Sequence, residues 1–399
     1  MRCWRRCVST IVGDLSAAAV IAAAQETTGL SDFGGDDWRE ALDVLTESLR
    51  TEAGLTEFGE VVAQADLVGS LTRRLQIVEH RRMHPEITDS PIERPIFIVG
   101  QVRTGTTILF ELLAQDPDAR APLTWEVDAP CPPPEAATYG SDPRIEDSRQ
   151  IQEMMTSIIP DLKAMHPIGP LLAQECVRIT AMDLRSFIFP TIYHVPAYAQ
   201  WLLDTDMASA YRWHRAFLQH LQSRIPVNRW VLKSPGHIWA LDAMMKQYPD
   251  ALVIQTHRDP LRTIASVSSL ACTLRTFASE QTPVEGVARE WAEYVIDGID
   301  RSIDARESGT VPAAQVVDVQ YQSFAADPIA TVAAAYEQLG LAFTAEAESN
   351  MRRFLDAQPA HEHGGHHYTF AQTGLDEKAL RERTTRYQDY FGVPNEPLG

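Results

Sequence analysis

The residues best placed to do chemistry form the run Gly100-Gln101-Val102-Arg103-Thr104-Gly105-Thr106-Thr107. It follows the apolar stretch Ile96 to Val99 and leads into Ile108, Leu109, Leu112 and Leu113, which recur at helical spacing. A glycine-bearing turn between strand and helix has the spacing of a phosphate-binding loop. Glycine lets the backbone approach an anion, and the N–H groups at the helix start stabilise it. The hydroxyls of Thr104, Thr106 and Thr107 are expected to add donors. A nucleoside triphosphatase would carry Gly-Lys-Ser/Thr here, the lysine reaching the outer phosphates. Position 106 is threonine. The missing lysine argues for a donor without a γ-phosphate, with Arg103 supplying the charge. The alternative is a glycine turn that holds no ligand.

Two further anchors lie downstream. Thr256-His257-Arg258-Asp259-Pro260 follows a buried run and precedes a helix that carries Ser266. Arg258 offers a planar fork for phosphate, and Ser266 stands about two turns further on a similar face. An Arg-Asp-Pro turn that merely caps a helix is the competing reading. Tyr321 opens Tyr-Gln-Ser-Phe-Ala-Ala-Asp-Pro, in which Asp327-Pro328 should start a helix.

In this order, over residues 95–340, the three anchors resemble the sulfotransferases that use 3′-phosphoadenosine-5′-phosphosulfate (PAPS). The likeness is to the bacterial branch and to the protein-tyrosine sulfotransferases. It implies a P-loop-like fold, PAPS as donor, its desulfated form (PAP) as product, and no metal. Arg103, Thr104, Gly105, Thr106 and Thr107 would then surround the 5′-phosphosulfate, Arg258 and Ser266 the 3′-phosphate, and Tyr321 the adenosine.

Transfer to a hydroxyl needs a base and positive charge. Glu126 in Thr124-Trp125-Glu126 follows the donor-loop helix by the interval at which related sulfotransferases place a glutamate, and is expected to be the general base. Asp128 is its neighbour and rival. Lys233, in Leu232-Lys233-Ser234-Pro235, ends a candidate strand and is expected to face the sulfuryl oxygens, with Arg103 on the leaving phosphate. His166, His194, His237 and His257 are alternative bases without better placement. The run His361-Glu362-His363-Gly364-Gly365-His366-His367 invites a metal reading, but its spacing is not that of a helical His-Glu-x-x-His site. Followed by Tyr368, it resembles the glycine-containing loop that in the family closes over the adenosine end.

The elements that must position these groups are legible as a strand-then-helix rhythm. Ile96–Val99, Ala251–Ile254 and Val316–Val319 read as buried parallel strands, and Trp230–Leu232 as a fourth. A three-layer α/β fold with a central parallel sheet follows, its ligands at the carboxyl ends of the strands. Residues 1–90 read as a helical extension: Asp36 or Asp37 is expected to cap a helix with Trp38, Leu42, Leu45 and Leu49 on one face, and Leu67, Leu71, Leu75 and Val78 share another. Residues 91–399 form the α/β domain, with 150–225 a helical insertion at the acceptor site. Its Phe187, Phe189, Tyr193, Tyr198, Trp201 and Trp213 are either a pocket lining or core.

A formal charge of −19 excludes a general nucleic-acid partner or anionic membrane surface, so a polyanionic donor needs a local basic pocket. Five scattered cysteines form neither a disulfide framework nor a metal pattern and fit a reducing cytoplasm. Arg2, Arg5 and Arg6 before an Ala-rich stretch imitate a secretory signal, but Asp14 interrupts it and the stretch is too short to span a membrane. The partner expected is a small hydroxyl-bearing acceptor, preferably hydrophobic, with homo-oligomerisation compatible. A P-loop-type kinase and a noncatalytic nucleotide-binding protein are the competing functions.

Overall fold

A computed structural model describes residues 14–158, 168–280, 282–357 and 369–399. Five strands, β1 (Ile96–Gly100), β2 (Ala119–Arg120), β3 (Arg229–Lys233), β4 (Leu252–His257) and β5 (Val316–Gln320), form one sheet in the order β2-β3-β1-β4-β5, and every pairing is parallel. The four strands expected from the apolar runs are present, and β2 is an addition at the edge. β1 and the apolar stretches Trp230–Leu232 of β3 and Leu252–Ile254 of β4 are buried because both faces of the sheet are covered, while polar residues occupy the ends of β3 and β4. Phe97, Val99, Leu232 and Val253 point into one hydrophobic cluster, and Ile96, Ile98, Val231 and Ile254 into another. These clusters separate the three layers.

The helices follow as α1 (Ala17–Thr28), α2 (Trp38–Thr51), α3 (Glu57–Met83), α4 (Thr106–Leu113), α5 (Thr124–Asp128), α6 (Pro143–Ile158), α7 (Cys176–Thr180), α8 (Ile188–Ile192), α9 (Pro196–Asp204), α10 (Ala208–Gln222), α11 (Leu241–Gln247), α12 (Pro260–Thr276), α13 (Val284–Glu307), α14 (Tyr321–Ala326), α15 (Pro328–Gln338), α16 (Ala345–Ala357) and α17 (Glu377–Phe391). Trp38, Leu42, Leu45 and Leu49 of α2 are buried as their spacing predicts, in the cluster that also holds Phe97 and Val99. The cap is different. Asp37 precedes α2 but makes no capping bond, because its carboxylate takes Arg212 of α10, and that of Asp36 takes Arg39. α4, α15 and α16 cover the opposite face through Leu109, Leu112, Val332 and Met351. No described helix is long and apolar enough to cross a membrane.

Candidate active site

β1 lies at the centre of the sheet with β3 on one side and β4 on the other, so a crevice opens beyond its carboxyl end. The loop leaving it is held in an unusual backbone shape. Gly100 has φ 150°, and a Cβ there would come within 2.2 Å of Thr256 Oγ1 and 2.8 Å of the Thr256 carbonyl. Gly105, at φ 85°, immediately precedes α4. Between them Arg103 sits at φ 67°, a left-handed conformation that costs a non-glycine residue about 1–2 kcal/mol. Local bonds hold this strain: the Thr104 hydroxyl donates to the Gln101 carbonyl at 2.7 Å and meets Thr256 Oγ1 at 2.6 Å, while Gln101 Nε2 donates to the Val295 carbonyl at 3.1 Å. Buried in this way, the Thr104 hydroxyl shapes the loop instead of offering itself to a ligand.

Arg103 is exposed on the loop, and its Nε donates to Ser266 Oγ of α12 at 3.1 Å. Arg258, at the end of β4, donates through Nη1 to the Arg103 carbonyl at 2.8 Å and lies 3.8 Å over the ring of Tyr321. Loop, turn and tyrosine therefore meet. Tyr321 and Phe324 also stand 3.3 Å from where a Gly105 Cβ would be. Asp259 does cap α12, its carboxylate accepting the Leu261 N–H at 2.9 Å and Arg381 at 2.7 Å. The capping role falls on Asp259 and leaves the neighbouring Arg258 outside the cap. Asp327 caps α15 as expected, accepting the Ala330 N–H at 2.9 Å.

Lys233 ends β3 with only 2% of its side chain exposed. Its Nζ donates to Thr107 Oγ1 at 3.2 Å and pairs with the Glu175 carboxylate. Glu175 is the residue before α7, and its side chain is 15% exposed. A carboxylate, an ammonium and a loop hydroxyl thus meet beside the first turn of α4. Sequence reasoning missed Glu175; the available signal was a lone acid, in Ala173-Gln174-Glu175-Cys176, ahead of a helix in an aromatic-rich segment.

Glu126 has a different environment from the one expected of a base. Its side chain is fully buried, Oε1 pairing with Arg120 at 2.5 Å and Oε2 accepting the Leu123 N–H at 2.8 Å and the Tyr139 hydroxyl at 3.2 Å. The carboxylate closes the first turn of its own helix and neutralises Arg120, which leaves it little capacity for an incoming hydroxyl. Asp128 accepts from Ser148 Oγ at 3.1 Å; burial raises its pKa, opposed by Arg73 and Arg178.

The histidines serve the scaffold. His237 is buried against the Tyr211 hydroxyl at 2.7 Å, and burial holds its pKa well below the usual imidazole range. His257 is clamped between the Tyr387 hydroxyl at 2.8 Å and Asp318 at 2.9 Å, and His194 pairs with Glu290. Phe187, Phe189, Tyr193, Tyr198 and Trp213 are buried in the main core, with Trp201 packed against it, which favours the core reading of that segment. His166 and the run from His361 to Tyr368 lie outside the described residues. Cys131, Cys176 and Cys272 are free thiols, and burial pushes Cys176 up to about 12. Among the described residues no group of histidine, cysteine and acidic side chains has the arrangement of a metal site.

Residues 95–345 match the model of the family described as "Sulfotransferase family". Among solved structures, the chain is similar to sulfotransferase STF9 from Mycobacterium avium, with a TM-score of 0.88 and 30% identity over 98% of this chain and 99% of that one. It is likewise similar to sulfotransferase STF1 from Mycobacterium tuberculosis H37Rv, with a TM-score of 0.83 and 35% identity over 92% and 97% of the two chains. A curated relative, the omega-hydroxy-beta-dihydromenaquinone-9 sulfotransferase Stf3 of Mycobacterium bovis, is 24% identical over 318 residues, covering 78% of this chain and 79% of its own.

Proposed function

The chain belongs to the sulfotransferase family, and from that premise we propose that it moves a sulfuryl group from PAPS, the donor the family implies, to a hydroxyl of a small hydrophobic acceptor. Two features support the fit of such a donor. A Cβ at Gly100 would clash with Thr256, and Gly105 holds the left-handed φ of 85° that glycine adopts without strain, as suits a loop whose backbone approaches phosphate. Arg258, the proposed 3′-phosphate ligand, already binds an oxyanion: the Glu396 carboxylate accepts from its Nε at 3.0 Å and its Nη2 at 3.0 Å. Ser266 and the ring of Tyr321 complete that end of the site, and the backbone of residues 103–107 with the Thr106 and Thr107 hydroxyls forms the other. This reading needs no metal ligands from the protein.

When bound, the donor supplies a sulfuryl group activated as a phosphate–sulfate anhydride. Lys233 presents a compact positive charge to the sulfuryl oxygens, and Arg103 steadies charge on the leaving phosphate. For the base we propose Glu175 in place of Glu126. The observation that carries this is the contact of Lys233 with both Thr107 of the donor loop and Glu175. As Lys233 turns toward an anionic group it loosens its hold on the Glu175 carboxylate, which then accepts the proton of the attacking hydroxyl.

The hydrophobic acceptor is supported by Stf3, whose name makes its acceptor a hydroxylated menaquinone derivative. A reducing cytoplasm suits the free thiols. Calorimetric titration with PAP, without metal, tests the donor site. Micromolar binding that Arg103→Ala and Arg258→Ala each weaken by about tenfold or more is expected. No binding to the native chain would remove PAPS as the donor, and an acceptor screen in which only carbohydrates take sulfate would overturn the hydrophobic acceptor.

A further inference from the structure

The segment after α17 returns an acidic side chain to the donor site. Gly392, at φ 64°, ends the helix, and the chain then runs back to the Arg258-Asp259-Pro260 turn. Three bonds tie it down: the Glu396 N–H donates to Asp259 Oδ2 at 2.7 Å, the Phe370 N–H donates to the Leu398 carbonyl at 3.1 Å, and Gln388 Nε2 donates to Asn395 Oδ1 at 2.8 Å. From this anchored backbone the Glu396 carboxylate takes one whole edge of Arg258, with Nε at 3.0 and 3.2 Å from its two oxygens and Nη2 at 3.0 Å. The pair is withdrawn from water, the two side chains being 12% and 13% exposed. Arg258 Nη1 is engaged by the Arg103 carbonyl.

We propose that Glu396 is an internal competitor of the donor's 3′-phosphate for Arg258, keeping affinity for donor and desulfated product below what the arginine alone would give and hastening product release. The inference rests on the donor-site reading above. One guanidinium edge binds one oxyanion in bidentate fashion, so a phosphate takes that edge only when the carboxylate leaves it. Two anions sharing the edge would repel at close range. A ligand without a 3′-phosphate has no quarrel with Glu396. A salt bridge that only props Arg258 predicts the opposite sign, since its loss would disorder the arginine and weaken binding.

The test titrates PAP and adenosine 5′-phosphate, which lacks the 3′-phosphate, into the full chain and its Glu396→Gln and Arg258→Ala variants, with stopped-flow dissociation of PAP alongside. Glutamine keeps the N–H bound to Asp259 and removes the charge. Glu396→Gln is expected to tighten PAP by about tenfold or more, slow its dissociation correspondingly, and leave adenosine 5′-phosphate within about twofold. Glu396→Asp, with its carboxylate drawn back, should fall between the two and serves if the glutamine variant melts early. Unchanged or weaker PAP binding in both variants, or equal tightening of the two nucleotides, overturns the competitor. In that case Arg258→Ala still weakens PAP. A native chain that binds no PAP, or an Arg258→Ala variant that binds it undiminished, overturns the donor site itself, and the competitor with it.

Discussion

With Glu175 as the proposed base and Glu126 buried against Arg120, substitutions of the two glutamates should separate the roles of base and scaffold. Glu175→Gln is expected to lower kcat by about 100- to 10,000-fold with PAP binding retained, since a positioned base acts on the transition state. Glutamine keeps a hydrogen bond to the buried Lys233 but not its countercharge, so the melting temperature falls as well. Glu126→Ala leaves Arg120 without its countercharge, with only 11% of its side chain exposed, and should lower unfolding stability by about 3–5 kcal/mol in a urea titration. The folded fraction should remain active. A reversal, in which Glu126→Gln abolishes turnover and Glu175→Gln does not, would return the base to Glu126. The resemblance to the family singles out Glu126 because it lies a short interval after Arg103 and Thr107, but its burial against Arg120 cannot be read there. Glu175 meets Lys233 across 58 residues, through packing that no local pattern announces. Glu396 reaches Arg258 across 138 residues and was invisible for the same reason.

Strands and helices were easier to anticipate where burial is complete on both sides. β1 and β4 are buried at every position, and each opens with a short apolar run, Ile96–Val99 and Leu252–Ile254; the buried polar end of β4, Gln255 to His257, carries no such signal. β5, expected to be buried, lies at the edge of the sheet, where it buries only Val317 and Val319 and turns Asp318 outward to His257 and Arg306. β2, with two residues, has no period to read. Elements joined by tight turns also make the sharpest demands on glycine. At Gly100 an added methyl group meets the Thr256 hydroxyl and carbonyl, which belong to the strand paired with β1. Gly100→Ala must therefore part β1 from β4 or re-aim the donor loop. It is expected to lower stability by about 1–3 kcal/mol and to weaken PAP binding in the fraction that folds. A variant that melts and binds PAP like the native chain would show that the strand–loop junction tolerates a change of path, and would remove the steric argument for that glycine.

At the scale of the whole molecule, the core stores several uncharged histidines, and these set how the protein responds to acid. Burial holds His214 and His220 down to about 3, and His237 well below the usual imidazole range. His214 bonds the Tyr248 hydroxyl and His220 the Pro130 carbonyl, contacts made by neutral rings in the large cluster beneath the sheet. The unfolded chain binds protons at these sites near pH 6.5; in the folded chain His214 and His220 do so only at about pH 3, and His237 well below the usual range. Between those values the unfolded state carries more protons, so stability falls as pH is lowered, by about 1.4 kcal/mol per pH unit for each histidine. Asp128, whose folded pKa is raised by burial, opposes this once the pH nears its own range. Asp318 and Glu290, held down to about 2 by their Arg and His partners, reinforce it below the unfolded carboxylate range. The histidines of the unfolded chain take up their protons from about pH 6 to 5, and this sets the sign of the slope across that window. Urea unfolding across it is expected to give a slope of about 3–4 kcal/mol per pH unit, an uptake of two to three protons on unfolding. His214→Gln should remove about one of them, even if it lowers stability at neutral pH. A flat profile over that window would mean that the imidazoles are charged or solvated in the folded state, and that the layer beneath β1 and β3 is looser than its packing implies.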